Sequence, residues 1–407
     1  MRKARVLVPL TLLGLLIGLA ACGSSNDSSS SGGSTSAGGG SKEPIVIGGA
    51  LALTGGFSAY DLQNRVGSEI AIDDINGKGG VLGRPLKYVV EDTKSDLSVA
   101  PGVASDLLSK GAKAMIVQCD FDFGAPAALV AQEKNVPSFS CASSPKFGVQ
   151  GVGPAAYDVS PPSNEFGAGI AETAYNRLKA RNAYVLTDTS LAYSKDECSS
   201  FQNAWKQLPD AKTAGTATFV NSDTSVQAQV TKMNSANPKP DVIIVCSYLP
   251  GGPNVIRQIR AAGIKTPIIS GGGMDSRGAY SAIKGLSDYY ILTYGSINGD
   301  DPRPEVNRLF QEFEKRNGKP ASVAYPILSY TEVQLAAAAM KKAGSTDGPA
   351  LIKALDSFKD EPTLAGPVTY TPDKHYSYLP VAVTEYVNGE QKFVQLFTPK
   401  NIPDLPL

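Results

Sequence analysis

Ala71-Ile-Asp-Asp-Ile-Asn-Gly-Lys-Gly-Gly-Val-Leu-Gly-Arg-Pro-Leu86 changes its period part-way along. Ala71 and Ile75 stand one turn apart, on what would be the buried face of a helix. Gly77, Gly79 and Gly80 supply backbone that glycine adopts without steric cost, which ends the helix and turns the chain. A strand then starts at Leu86. A helix handed to a strand through a glycine corner is half of a βαβ unit, the building block of parallel sheets.

Outward from this corner the same alternation recurs. Strands are expected over 44–51, 86–91, 114–118, 136–140, 183–187, 214–220, 242–246, 267–270 and 289–294, with helices over 63–76, 96–110, 164–180, 194–207, 225–234 and 253–262. Runs such as Asp241-Val-Ile-Ile-Val-Cys246 are continuously apolar, which suits strands covered by helices on both faces. Pro161-Pro162 separates two series of units. The end of the chain differs, with helices over 323–343 and 349–358 and strands over 368–371, 380–387 and 392–397. Asn388-Gly389 joins the last two strands as a tight hairpin.

The N-terminus reads differently again. Arg2, Lys3 and Arg5 precede an apolar stretch over 6–21, the pattern of a secretory signal peptide. That stretch is short for a membrane span, which needs about 20 apolar residues. It closes on Leu19-Ala-Ala-Cys22, which resembles the bacterial lipobox, so Cys22 is the expected lipidation site after removal of residues 1–21. Residues 22–43 are rich in Ser and Gly and bury too little to fold. A leash of about 20 such residues reaches on the order of 25 Å.

Composition narrows the partners. Without Arg2, Lys3 and Arg5 the chain has 35 basic against 38 acidic side chains, a net charge of −3, and no basic cluster. Nucleic acid is therefore not expected as a partner. Beyond Cys22 there are four cysteines, an even number that agrees with export to an oxidising compartment. Pairing within halves is expected, Cys119 with Cys141 and Cys198 with Cys246, although the sequence permits three connectivities. With His375 the sole histidine and no Cys-x-x-Cys spacing, a structural zinc site is not expected. No cofactor is expected.

The glycine corner at 71–86, together with Leu53-Thr-Gly-Gly-Phe-Ser-Ala-Tyr60 after the first strand, resembles the signature of the branched-chain amino-acid (Leu/Ile/Val) binding protein family, the type I periplasmic solute-binding proteins of ABC importers. Similarity continues through Tyr193-Ser194, Ile256-Arg-Gln-Ile-Arg-Ala-Ala-Gly263, Tyr330 and Gly366-Pro-Val-Thr-Tyr370, covering the whole mature domain. The resemblance implies an α/β fold of two Rossmann-like lobes with parallel sheets, joined by a three-stranded hinge. Lobe one would comprise residues 44–162 plus 298–365, and lobe two 163–297 plus 366–407. It implies a monomer on the outer face of the cell membrane that binds a small-molecule solute between the lobes and delivers it to permease and ATPase subunits.

Site residues carry over by position. A ligand carboxylate would be held by backbone N–H groups and a hydroxyl at Asp120 and Phe121 after one strand, and at Ala142, Ser143 and Ser144 after the next. Tyr60, Tyr193 and Tyr248 would wall the cleft. The family places a glutamate for the ligand ammonium after a lobe-two strand, but Gly272 stands near that position here. Asp275 could substitute, or could instead cap a helix. Cys119-Asp-Phe-Asp-Phe123 puts two acids and two aromatics where relatives have small hydroxyl residues, so the ligand's sign stays open: an acid suits the amides and hydroxyls, an amine suits Asp120, Asp122 or Asp275.

Two other function classes fit parts of the sequence. A ligand sensor would share all of these features. Catalysis would draw on Ser143-Ser-Pro-Lys146 or Ser281-Ala-Ile-Lys284, each a Ser-x-x-Lys match without the accompanying motifs of penicillin-recognising enzymes. No Gly-x-Ser-x-Gly elbow occurs. An enzyme is therefore not expected.

Overall fold

The computed structural model describes residues 43–404. The signal-peptide, Cys22 and linker expectations fall on residues 1–43 and so lie almost wholly outside the described part.

The first series of units runs β1 (Ile45–Leu51), α1 (Ser58–Gly77), β2 (Leu86–Asp92), α2 (Ala100–Ser109), β3 (Ala112–Val117), α3 (Phe121–Glu133), β4 (Ser138–Ser140) and β5 (Ala156–Asp158). These five strands form one parallel sheet in the order β2-β1-β3-β4-β5. The second series runs α4 (Ser163–Glu172), a π-helical turn over Thr173–Arg177, β6 (Asn182–Asp188), α5 (Ala192–Trp205), β7 (Lys212–Phe219), α6 (Gln227–Asn234), β8 (Val242–Cys246), α7 (Gly252–Ala261), β9 (Ile268–Ser270) and β10 (Tyr289–Thr293). The chain then supplies α8 (Pro304–Asn317), α9 (Pro326–Ala343), α10 (Gly348–Leu355), a short ribbon of β11 (Glu361–Pro362) and β12 (Pro367–Val368), and finally β13 (Val381–Val387) and β14 (Glu390–Phe397). The second sheet has the order β14-β13-β10-β9-β8-β6-β7, with β13 and β14 antiparallel to their neighbours.

The glycine corner folds as its composition requires. Gly79 and Gly80 have φ of 92° and 76°, and Gly80 N–H donates to Ile75 O at 3.0 Å. A Cβ on Gly80 would run into the Arg84 carbonyl oxygen, so glycine is needed for close approach as well as for its φ. The Asn76 amide then pairs with both backbone groups of Leu86, at 2.7 and 2.9 Å, and pins the first residue of β2. Asn388 and Gly389, both at positive φ, form the two-residue turn between β13 and β14, which pair Val387 with Glu390.

The chain passes between the two sheets three times, over residues 159–162, 294–303 and 369–380. The third passage lies beyond the break expected at 365/366. On the way Tyr370 donates to Asp158 O at 2.8 Å and the His375 ring meets Ala156 O at 2.9 Å, holding this segment against β5. One apolar core runs through both lobes, from Ile47 and Phe139 to Phe166, Phe201 and Leu292, with smaller clusters beneath the outer helices of each. No helix among the described residues is long and apolar enough to cross a membrane.

Candidate ligand-binding cleft

Strands β1, β3 and β4 of the first sheet and β6, β8 and β9 of the second all end at the seam between the lobes, where open α/β sheets bind ligands. On the first-lobe side, β3 leads into Cys119 and Asp120. Asp120 is extended, caps α3 and accepts Phe123 N–H on Oδ1 at 3.1 Å. It is 4% exposed, and burial, reinforced by the neighbouring Asp122 charge, pushes its carboxyl up to about 8. Strand β4 leads into Cys141, Ala142 and Ser143. Cys119 and Cys141 are joined as a disulfide, with Cα atoms 4.6 Å apart, tying the two strand ends together.

Of the amides expected to hold a ligand carboxylate, those of Ser143 and Ser144 have partners inside this lobe. Ser143 N–H donates to Ser160 Oγ at 2.8 Å, and Ser144 N–H donates to Asp158 Oδ2 at 2.6 Å. Ser160 in turn donates to Asp158 Oδ1 at 2.6 Å.

The second-lobe side is built from tyrosines and glycines. Tyr193, in the first turn of α5, donates to Glu197 Oε1 at 2.8 Å and accepts Gly273 N–H at 3.0 Å. Tyr60 reaches across from α1, donating to Gly273 O and accepting Leu249 N–H, each at 2.7 Å. Phe57 stacks on Tyr248 with ring centres 5.7 Å apart. Tyr325, just before α9, lies 4.9 Å from both Tyr60 and Tyr294. Glu197 is fully buried, its carboxyl pushed up to about 8 by that burial. A Cβ on Gly271 would overlap the Glu197 carboxylate, and one on Gly272 would come within 3.0 Å of the Tyr294 hydroxyl. Cys198 of α5 and Cys246 of β8 are bonded behind this wall, with Cα atoms 5.7 Å apart.

These groups surround a small void of about 20 Å³, room for about one water, so a solute would enter only as the lobes part. Of the expected residues, Tyr60, Asp120, Ala142, Ser143, Tyr193 and Tyr248 line this void together. Phe121 packs on the outer core of the first lobe instead, and Ser144 lies outside the lining. Asp275 is not brought to the cavity either. It is 1% exposed and accepts from Thr293 Oγ1, Ala324 N–H and Gln391 Nε2 at 2.8–3.1 Å. No helix starts at Asp275, which follows a 3₁₀ turn over Gly272–Met274. Phe57, Leu191, Gly273 and Tyr325 line the cavity without having been expected there. Phe57 stands in the loop over 53–60 that carries the resemblance, and Tyr325 precedes a helix-starting proline, but Gly273 contributes backbone and leaves no signal in its side chain. Lys146 Nζ pairs with Asp196 at 3.9 Å while Ser143 Oγ pairs with Ser160, so the Ser-x-x-Lys match at 143–146 brings no base to its serine.

Residues 44–391 match the family model described as "Periplasmic binding protein". The chain belongs to this family. Curated relatives of this periplasmic binding protein include a Leu/Ile/Val-binding protein homolog 1 of Brucella suis, 25% identical over 80% of this chain and 86% of the relative. The Leu/Ile/Val-binding protein of Escherichia coli K12 is 24% identical over 78% of this chain and 84% of the relative. Among solved structures, the branched-chain amino-acid transporter substrate binding protein LivJ of Streptococcus pneumoniae, in complex with isoleucine, superposes with a TM-score of 0.78 at 23% identity, covering 88% of this chain and 100% of that one. An ABC-transporter solute binding protein of Rhodopseudomonas palustris in complex with benzoate has a TM-score of 0.73 at 16% identity, covering 90% and 100%. The type I periplasmic-binding-protein fold and the family expected from the glycine corner are thus both borne out.

Proposed function

We propose that this periplasmic binding protein is the exported, lipid-anchored solute receptor of an ABC importer, tethered through Cys22 and passing a small organic solute from the interlobe cleft to permease and ATPase subunits. The observation that carries this reading is the Tyr60 hydroxyl. It springs from one lobe and is bonded twice to backbone of the other, beside a void lined by residues of both lobes. Closure of this kind buries a ligand and presents both lobes at once to a partner, so bound and free receptor differ in what a permease meets. The relatives named for Leu, Ile and Val, and the structures holding isoleucine and benzoate, support an amino acid or a related amide or carboxylic acid as the starting range of solutes.

A thermal-shift screen of the full chain against amino acids, amides, amines and aliphatic and aromatic acids tests the reading. At least one class should raise the unfolding temperature, with micromolar or tighter affinity, about −8 kcal/mol or below. A ligand at a hundred times its Kd adds about 2.7 kcal/mol of stability, well within reach of such a screen. If every class leaves the midpoint unmoved, solute binding is wrong. For the anchor, Cys22→Ser should release the protein from the membrane fraction.

A further inference from the structure

The polar groups around the cavity are not equally free. Ser143 and Ser144 N–H are taken by Ser160 and Asp158, Gly273 N–H by Tyr193, Leu249 N–H by Tyr60, and Phe123 N–H at the start of α3 by Asp120. No lysine or arginine lines the space. A solute carboxylate would find Ala142 N–H without an acceptor among the described residues, but would have to displace protein acceptors from the other donors and then sit beside Asp120.

The ionisable group at the cavity has the opposite sign. Among the described residues Asp120 receives only backbone N–H groups, from Phe123 at 3.1 Å and from Asp122, and no cationic side chain, although the side chain is 96% removed from solvent and lines the cavity. Around it stand the rings of Phe57, Tyr60, Tyr193, Tyr248 and Tyr325. The hydroxyls of Tyr60 and Tyr193 are fixed on backbone groups, so those two rings are held in place. Ring faces are negative, and an aromatic lining attracts a cation, above all an alkylammonium whose own surface is partly apolar.

We propose that the group recognised in this cleft is an organic ammonium, caged by these aromatic rings and paired with Asp120, and that the solute needs no carboxylate. The inference rests on the solute-receptor reading above and narrows it to a class of ligand.

A matched series separates the possibilities by isothermal titration on the full chain: leucine, its decarboxylated amine 3-methylbutylammonium, its deaminated acid 4-methylpentanoate, and tetramethylammonium. The amine and tetramethylammonium should bind and the acid should not. Asp120→Asn should weaken the amine at least tenfold. Tyr248→Leu, at the half-exposed edge of the cage, should weaken tetramethylammonium by a similar factor, and it keeps the test alive if the first variant fails to fold in a melt without solute. Binding of the acid or of leucine alone, with both ammonium probes inert, overturns the inference and leaves the receptor reading standing. If neither this series nor the wider screen yields a ligand, both fall.

Discussion

The two walls of the cleft reach the same end by different means. In the first lobe the polar groups are satisfied locally: Asp158, Ser160, Ser143 and Ser144 bond one another across only 14–17 positions of chain, and a disulfide clips the strand ends at the cavity face. In the second lobe the backbone at Leu249 and Gly273 is satisfied partly by Tyr60, 189 and 213 positions away on the opposite lobe, and the disulfide lies behind the wall, between α5 and β8. The Asp158–Ser160–Ser143–Ser144 network of the first wall therefore holds whether or not the lobes meet, and only its outlying groups, the Tyr60 hydroxyl and Asp122, reach across. The second wall is complete only when the lobes meet. Asymmetry of this kind gives a clamshell one rigid jaw and one jaw whose hydrogen bonding depends on closure.

The largest effect should come from the hidden clip. Replacing Cys198 and Cys246 together by alanine removes a cross-link spanning 48 positions, which costs about 4 kcal/mol in the chain-entropy account, read as a lower denaturation midpoint. Asp158→Ala should come next. It strips acceptors from Ser144 N–H, Ser160 N–H and Ser160 Oγ in a fully buried site, a loss of roughly 2–4 kcal/mol. If Asp158→Ala proves harmless, the first wall is not self-sufficient and the contrast fails.

Acidity offers a third lever, and it acts on both walls. Burial pushes Asp61 and Asp158 up to about 7, and Asp120, Glu165 and Glu197 up to about 8. Each holds a proton in the folded chain at a pH where the unfolded chain, titrating near 4, has already lost it. Their contribution is fully present below about pH 4 and is lost as pH rises through 7 to 8. The melting temperature of the full chain should therefore fall by several degrees between pH 5 and pH 8. A flat profile would mean that these carboxyls ionise freely.

Tyr60→Phe should be the mildest on stability, about 1 kcal/mol for the two hydrogen bonds exchanged with water, because the phenyl ring keeps its place against Tyr325. Its signature should lie in shape. X-ray scattering should show a larger radius of gyration than the parent, since what is lost bridges the lobes. Loss of stability without expansion would make Tyr60 an ordinary core residue.

Most of the fold could be read in the sequence because it is written in local chemistry: the glycine corner at 77–80, the Asn388-Gly389 turn, and the apolar run at 242–246 need no distant partner to be understood. Two helices, α3 and α8, were not anticipated. α3 carries Gly124 and Pro126 within its length, and α8 follows a proline, which blurs both patterns. Tyr60, Tyr193 and Tyr248 were legible by their place after strands, whereas Tyr325, ahead of α9, was not. The occupancy of the Ser143 and Ser144 amides was not, because their acceptors are Asp158, at the end of the three-residue strand β5, and Ser160 just beyond it, where no periodicity betrays them. Asp275 misled for the same reason, since its partners arrive from β10, the start of α9 and β14.

The bond between Cys119 and Cys141 has a practical corollary. It forms part of the cavity surface itself, so a chain matured in a reducing cytosol would carry two thiols where the exported chain carries a bridge, directly beside Asp120. Recombinant material made without passage through an oxidising compartment would thus present a different chemical face to every candidate solute. Affinities from the two preparations would describe two different receptors.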